Sequence, residues 1–368
     1  MRAVVVDKPG SFAVTSVPDP MVGPVEVVVQ VAACGICGTD LHIVDGEFPP
    51  TPYPIVPGHE AAGTVVAVGA QVTNVRVGDR VAVDPSLFCG SCKYCRAGRG
   101  NLCERWGATG DTVDGAFAEY VSVPARNCYT VPDEMSFSSA AMVEPVSCAV
   151  HAVDRLGVVV GDNVLVFGAG TMGLVLGQLL GHAGARTVSF VDTNPAKLNL
   201  ARSFGFEECY ATLEEAVGAH GRYERVVEAT GVALVAERAI DAVARGGTLM
   251  IFGVAPSGAL ARYRPFAVYN DEVSIVGSMA VLSSYGRAVD IVADGIVKVP
   301  KMVTHTFALD DFATALGTVR RGEGLKVQVS LERLERDQPA QARAASAERV
   351  VLGVLTPLKG APNAGQLA

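Results

Sequence analysis

Positive charge is scarce in this chain and never clustered. Lys and Arg number 30 against 38 Asp and Glu, a formal net charge of −8 with a pI near 5.3. Without a basic block, little is gained by releasing counterions from nucleic acid, and that partner class is excluded. Charged residues make up only 18% and hydrophobic ones 49%, the reverse of a disordered composition. No targeting signal is legible at the start, where Met1-Arg2-Ala3-Val4-Val5-Val6-Asp7 reads as a short strand cut off by charge. Long apolar runs are nearly absent as well. Residues 164–185 are free of charge and long enough to span a bilayer. Their glycines, with Gln178, His182 and a strand-like first half, read instead as buried soluble structure, so no membrane partner is expected. A secreted disulfide framework is also missing: the nine cysteines are odd in number, and four of them crowd between Cys89 and Cys103. That crowding suits metal binding in a reducing cytoplasm.

A length of 368 residues suggests two domains. Up to about residue 145 the chain runs in short valine-rich segments, such as 25–31 and 63–69, separated by turns such as Val77-Gly78-Asp79-Arg80-Val81. Strands at this spacing predict a barrel-like all-β body. A helix is expected over 136–156 with Ser136 as its N-cap. From Asn163 the rhythm changes. Apolar runs at 164–167, 187–191, 226–229, 248–252 and 273–276 alternate with helical stretches near 171–183, 195–204 and 232–244. Repeated strand and helix predict a parallel, doubly wound sheet. Helices over 284–294 and 310–321, with strands at 302–309 and 326–329, follow. Residues 335–368 turn polar, alanine-rich and proline-containing, which predicts a mobile tail.

Three groups of residues carry chemistry. Cys89, Cys92, Cys95 and Cys103 sit at spacings of two, two and seven intervening residues, enough thiolate to enclose one tetrahedral zinc. An iron–sulfur cluster is the rival, although the bacterial ferredoxin run ends with a shorter spacer and a proline. The second group is Cys34-Gly35-Ile36-Cys37-Gly38-Thr39-Asp40-Leu41-His42 with Gly58-His59-Glu60. Cys34 and Cys37 could form a redox pair, and His59 alone could be structural. Together, Cys37, His59 and Glu60 or another carboxylate make a three-ligand, open zinc site. Thr39 and His42 could pass a proton outward, and Asp40 could accept the second ring N–H of His59. In the third group, Gly168, Gly170 and Gly173 leave a strand and open a helix, and Asp192 ends the next strand. That is a dinucleotide turn with a carboxylate suited to the ribose diol of NAD.

On these motifs, the chain resembles the medium-chain zinc-dependent alcohol dehydrogenases over about residues 1–331, and within them the polyol and sorbitol dehydrogenase group. The resemblance implies a GroES-like β-barrel catalytic domain at 1–148 and 284–331. It implies a doubly wound Rossmann NAD-binding domain at 149–283, and an active site in the cleft between them. Cys37 and His59 match catalytic zinc ligands, Thr39 and His42 the proton relay, and the four-cysteine loop a second, structural zinc. Lys197 falls where the family contacts the adenosine ribose, and Lys326 where a basic residue approaches the pyrophosphate. Ordinary alcohol dehydrogenases supply a third cysteine where this chain has Glu144-Pro145. In the polyol group, Glu60 or this second glutamate completes the metal sphere. The resemblance implies hydride transfer between a small secondary alcohol and NAD, in a homo-oligomer that is a dimer or tetramer. Phe48, Trp106 and Met279 are candidate pocket walls. Threonine or simple-alcohol oxidation is the alternative within the superfamily, and a zinc-bearing non-catalytic binding protein is the alternative outside it.

Overall fold

The computed structural model describes residues 1–48 and 51–331, and the tail expected over 335–368 lies outside them. The first body is built on the 11-residue strand Glu26–Ile36. One edge of this strand pairs antiparallel with Glu60–Val68. Its other edge is divided: Tyr120–Pro124 takes residues 26–30, and Lys326–Ser330 takes residues 33–36. Arg80–Val83, Cys128–Thr130 and Val303–Ala308 complete a 7-stranded sheet around Val29, Val65, Val81, Phe117 and Phe312. A strand from the far end of the chain thus closes the N-terminal body.

The second body is a 6-stranded sheet, parallel throughout. Its strands lie side by side as Cys209–Tyr210, Thr187–Val191, Asn163–Phe167, Tyr223–Glu228, Val243–Ile251 and Ser274–Gly277. That order, 3-2-1-4-5-6 within the sheet, is the doubly wound arrangement, and a ligand crevice opens where it reverses beside Asn163–Phe167. The period of two along that strand explains its uninterrupted apolarity. Val164 and Val166 enter one core with the helices Val143–Leu156 and Thr171–His182, while Leu165 and Phe167 enter another with Leu213, Val226 and Leu249.

Two expectations need correction. The helix expected over 136–156 is two helices, Phe137–Ala140 and Val143–Leu156. Pro145 is the reason: lacking an N–H and clashing with a carbonyl four residues back, it fits only the first turn of a new helix. Ser136 does cap the first, its hydroxyl accepting the Ser139 N–H. The stretch read as helix to 244 stops earlier, as Ala233–Ala239 and a 3₁₀ turn Ile240–Ala242, because a strand starts at Val243. The helix Leu213–His220, capped by Thr212, was not anticipated. The helix Val143–Leu156 also runs through the division expected between residues 148 and 149. It packs with Ala33, Ala62 and Ala82 of the first sheet and with Val164 and Val166 of the second, so one core joins the two bodies. Residues 164–185 form strand, turn and helix, and among the described residues no helix is long and apolar enough to cross a membrane.

Candidate active site

The strand Glu26–Ile36 delivers Cys37 at its end, where Cys37 becomes the N-cap of the helix Gly38–Asp45. Asp40 locks this junction, accepting the Cys37 N–H at 2.8 Å from inside the first turn. Opposite, His59 immediately precedes the strand Glu60–Val68, which Glu60 opens in register with Gly35. A Cβ at Gly35 would lie 1.8 Å from Glu60 Oε2, so only glycine lets this carboxylate lie across the neighbouring strand. One ligand atom from each of Cys37, His59 and Glu60 lies within 4.8 Å of the others. Thr39 Oγ1 is 3.9 Å from Cys37 Sγ. His42, half-exposed, holds Nδ1 2.9 Å from Glu47 and so faces outward from the same helix.

Around this cluster the buried charges do not balance. Glu60 is 1% exposed, Asp40 0%, Asp111 6% and Glu144 7%. The buried cation set against them is Lys326, 4% exposed, with Nζ 2.6 Å from both Glu60 oxygens and 3.3 Å from Ile36 O. Burial opposes the Lys326 ammonium, but Glu60 and Cys37 outweigh it and hold its pKa above the ordinary value. Glu144 stands in the first turn of Val143–Leu156, where it accepts the Cys148 S–H at 3.2 Å. Its carboxyl is pushed up to about 7, by burial first and with the charge of Glu60 adding to it. Four carboxylates and a thiol face one lysine and the His59 imidazole, leaving an excess of negative charge that a divalent cation would offset. The donor types, one soft sulfur with imidazole and carboxylate, suit zinc.

The Lys326 ammonium is held by both Glu60 oxygens and by Ile36 O. Asp111 is the residue sequence reasoning missed. Its Oδ1 lies 3.3 Å from His59 Nδ1, closer than Asp40 Oδ1 at 3.8 Å.

In the four-cysteine loop, Cys89 and Cys95 sulfurs are 4.0 Å apart, as are those of Cys92 and Cys103, and all four lie within 4.8 Å. Tetrahedral zinc with bonds of about 2.3 Å needs sulfurs roughly 3.8 Å apart. A cluster of several irons needs a wider cage. Backbone N–H groups of Ser91, Cys92, Cys95 and Arg105 point at the sulfurs, an arrangement that favours thiolate. The Ser91 hydroxyl and the Ser91 and Cys92 amides bring the Cys89 thiol down to about 5.

At the start of Thr171–His182, each glycine has a distinct task. Gly168 takes a φ of +98°, open to glycine and little else, and its N–H binds Val191 O at 2.8 Å. A Cβ on Gly173 would meet Gly168 O at 1.8 Å, whereas one on Gly170, the N-cap, would meet nothing within 4 Å. The packing is therefore tight at Gly173, and space is left at Gly170 for a diphosphate on the helix N-terminus. Asp192 is fixed beside this turn, one oxygen accepting Ala169 N–H at 2.9 Å and the other Asn194 N–H at 2.8 Å. Lys197 is half-buried in the first turn of Pro195–Ser203, next along the chain.

A doubly wound dinucleotide fold joined to a β body carrying a thiolate–imidazole–carboxylate cluster defines a nicotinamide-dependent, metal-containing oxidoreductase. Two family models match, an alcohol dehydrogenase GroES-like domain over residues 23–133 and a zinc-binding dehydrogenase over 171–294. D-arabinitol dehydrogenase 1 of Uromyces fabae is 37% identical over 340 residues, 89% of this chain and 97% of that protein. An L-threonine 3-dehydrogenase of Rhizobium johnstonii is 32% identical over 338 residues, 89% and 97% of the two chains. A solved zinc-binding dehydrogenase from Sinorhizobium meliloti, bound to NADP, superposes with a TM-score of 0.86 at 34% identity, over 89% of this chain and 98% of its own. The chain belongs to the zinc-dependent medium-chain alcohol dehydrogenase superfamily, in its polyol-dehydrogenase-like branch. It is an oxidoreductase.

Proposed function

We propose that this enzyme oxidises a secondary hydroxyl of a polyol or sugar alcohol with NAD, using a catalytic zinc held by Cys37, His59 and a glutamate, Glu60 or Glu144. The observation that carries the reading is the cluster of Cys37, His59 and Glu60 ligand atoms within 4.8 Å, with a second buried carboxylate, Glu144, beside it. When bound, zinc supplies Lewis-acid polarisation of an alcohol oxygen, and the dinucleotide takes up the hydride. The chain's own residues orient the substrate and remove its proton. A polyol offers adjacent hydroxyls, and Glu144 gives the second one an acceptor in a buried setting. Thr39 passes the proton outward, and His42, half-exposed against Glu47, hands it to solvent. Glu144 either ligates the metal in place of Glu60 or reaches it through a water. The engagement of Glu60 by Lys326 weighs toward a shared role for the two glutamates.

The four-cysteine loop holds a structural zinc, and its thiolates suit a reducing cytoplasm. Gly168, Gly170 and Gly173 seat the pyrophosphate, Asp192 the adenosine ribose, and Lys197 approaches the same sugar. Asp192 favours NAD over NADP because a carboxylate opposes a 2′-phosphate. The protein works on a small molecule as a homo-oligomer. What supports this is the sheet-edge strand Ser274–Gly277, preceded in the chain by exposed Leu260, Phe266 and Tyr269. Steady-state rates with NAD on a panel of sugar alcohols, set beside threonine and simple alcohols, test the reading. Higher kcat/KM on polyols is expected, and turnover confined to threonine would transfer the assignment.

A further inference from the structure

We propose that Asp111 is a positioning residue for His59, and that its carboxylate, not Asp40's, accepts the hydrogen bond from the imidazole Nδ1–H. This rests on the reading of Cys37 and His59 as metal ligands. Two buried carboxylates confront one ring nitrogen: Asp111 Oδ1 at 3.3 Å and Asp40 Oδ1 at 3.8 Å. All three of these atoms are buried without a hydrogen-bond partner, so the proton has two candidate acceptors and no other. A histidine that gives Nε2 to a metal carries one proton on Nδ1, and that proton satisfies one acceptor. Asp40 already has work elsewhere, because its Oδ2 accepts the Cys37 N–H and ties its carboxylate to the helix cap. Asp111 is nearer, and its remaining duty is to His59.

The backbone around Asp111 is shaped to bring it there. Gly110 has a φ of +87°, and a Cβ on it would strike Gly58 O at 2.4 Å. A Cβ on Gly115 would strike the same oxygen at 2.4 Å, and Gly58 itself sits at φ +105°. These glycines let the 110–117 segment lie directly on 56–58. Gly115 N–H binds Val56 O at 2.7 Å, Ala116 N–H binds Gly58 O at 2.9 Å, and Asp114 accepts the Val56 N–H at 2.9 Å. The turn that presents Asp111 and the turn that presents His59 are thereby one clamped unit. The pairing fixes the ring's tautomer and rotation, leaving Nε2 for the metal.

The test compares wild type, Asp111→Ala, Asp111→Asn and Cys37→Ser in two measurements: zinc release to a chromogenic chelator, and the visible spectrum after cobalt loading. Wild type should release two zinc ions in separate phases, and Cys37→Ser should lack the faster. In Asp111→Ala that phase should quicken about 10- to 100-fold, with a shifted cobalt spectrum and the four-cysteine phase unchanged. Asp111→Asn keeps both shape and a neutral acceptor oxygen, and its rate should fall between. Wild-type release and an unaltered cobalt spectrum in both Asp111 variants would overturn the proposal while leaving the ligand assignment standing. Two phases persisting in Cys37→Ser would overturn the ligand assignment, and the proposal with it.

Discussion

Glu144 lies in the first turn of its helix, and Cys148, one turn on, donates to it. A carboxylate pushed up to about 7 by burial beside Glu60 is costly to keep unless it binds something that rewards its charge. On this account, Glu144→Gln lowers kcat/KM on sugar alcohols about 10- to 100-fold, the range for losing a metal-site partner. Thermal stability changes little, and steady-state kinetics with a melting curve check both. At the coenzyme end, Asp192→Ser should erode the preference for NAD by weakening NAD. The ratio of kcat/KM for the two coenzymes measures it, and equal values in wild type would refute the role given to Asp192. The NADP in the Sinorhizobium meliloti relative makes this ratio informative. At this scale, the sequence revealed what lies contiguous or at fixed spacing: Cys37 with His42, His59 with Glu60, the four cysteines, the three glycines. It concealed what only folding assembles. Asp111 meets His59 through a glycine-lined backbone contact, and Lys326 reaches Glu60 across 266 positions. No local pattern announces either.

Short elements position the chemistry here, and they were the less legible ones. Strands with sustained apolar runs, such as Asn163–Phe167 and Thr187–Val191, were evident because burial on both faces demands them. The helix Leu213–His220 escaped notice because it is brief, carries Glu214 and Glu215, and is anchored by only a few buried residues. Pro145 divided a helix that periodicity alone would have continued. The four-cysteine loop has almost no regular structure, only a turn of helix at Lys93–Arg96 and a 3₁₀ turn at Gly100–Leu102. On the structural-zinc reading proposed above, metal binding would contribute the loop's order, because binding energy at such sites is folding energy. Cys95→Ala should release one zinc per chain and lower the melting temperature while the other zinc stays. Metal analysis paired with calorimetry checks this, and unchanged zinc content would contradict it.

Across the whole molecule, one core continues from the β body through Val143–Leu156 and Tyr285–Ala293 into the parallel sheet, which fixes the two bodies that flank the crevice. The far strand of that sheet, Ser274–Gly277, pairs with Val243–Ile251 on one side and has no partner strand on the other among the described residues, with Ile275 39% exposed and Phe266 and Tyr269 still more so. A second copy covering this edge would bury them. Ile275→Lys should then shift the protein toward smaller species in sedimentation velocity, and an unchanged distribution would place the interface elsewhere. The overall architecture was legible because alternation of strand and helix admits few topologies. The seam itself carries little sequence signal, because the helix Val143–Leu156 packs into one core shared by both bodies. The central claim is that turnover depends on a zinc held by Cys37, His59 and a glutamate. Stepwise removal of the more labile zinc by a chelator, followed by NADH formation from a sugar alcohol, tests it most directly. Activity should fall in proportion to the zinc withdrawn and return when zinc is restored, whereas full activity after its removal would contradict the account.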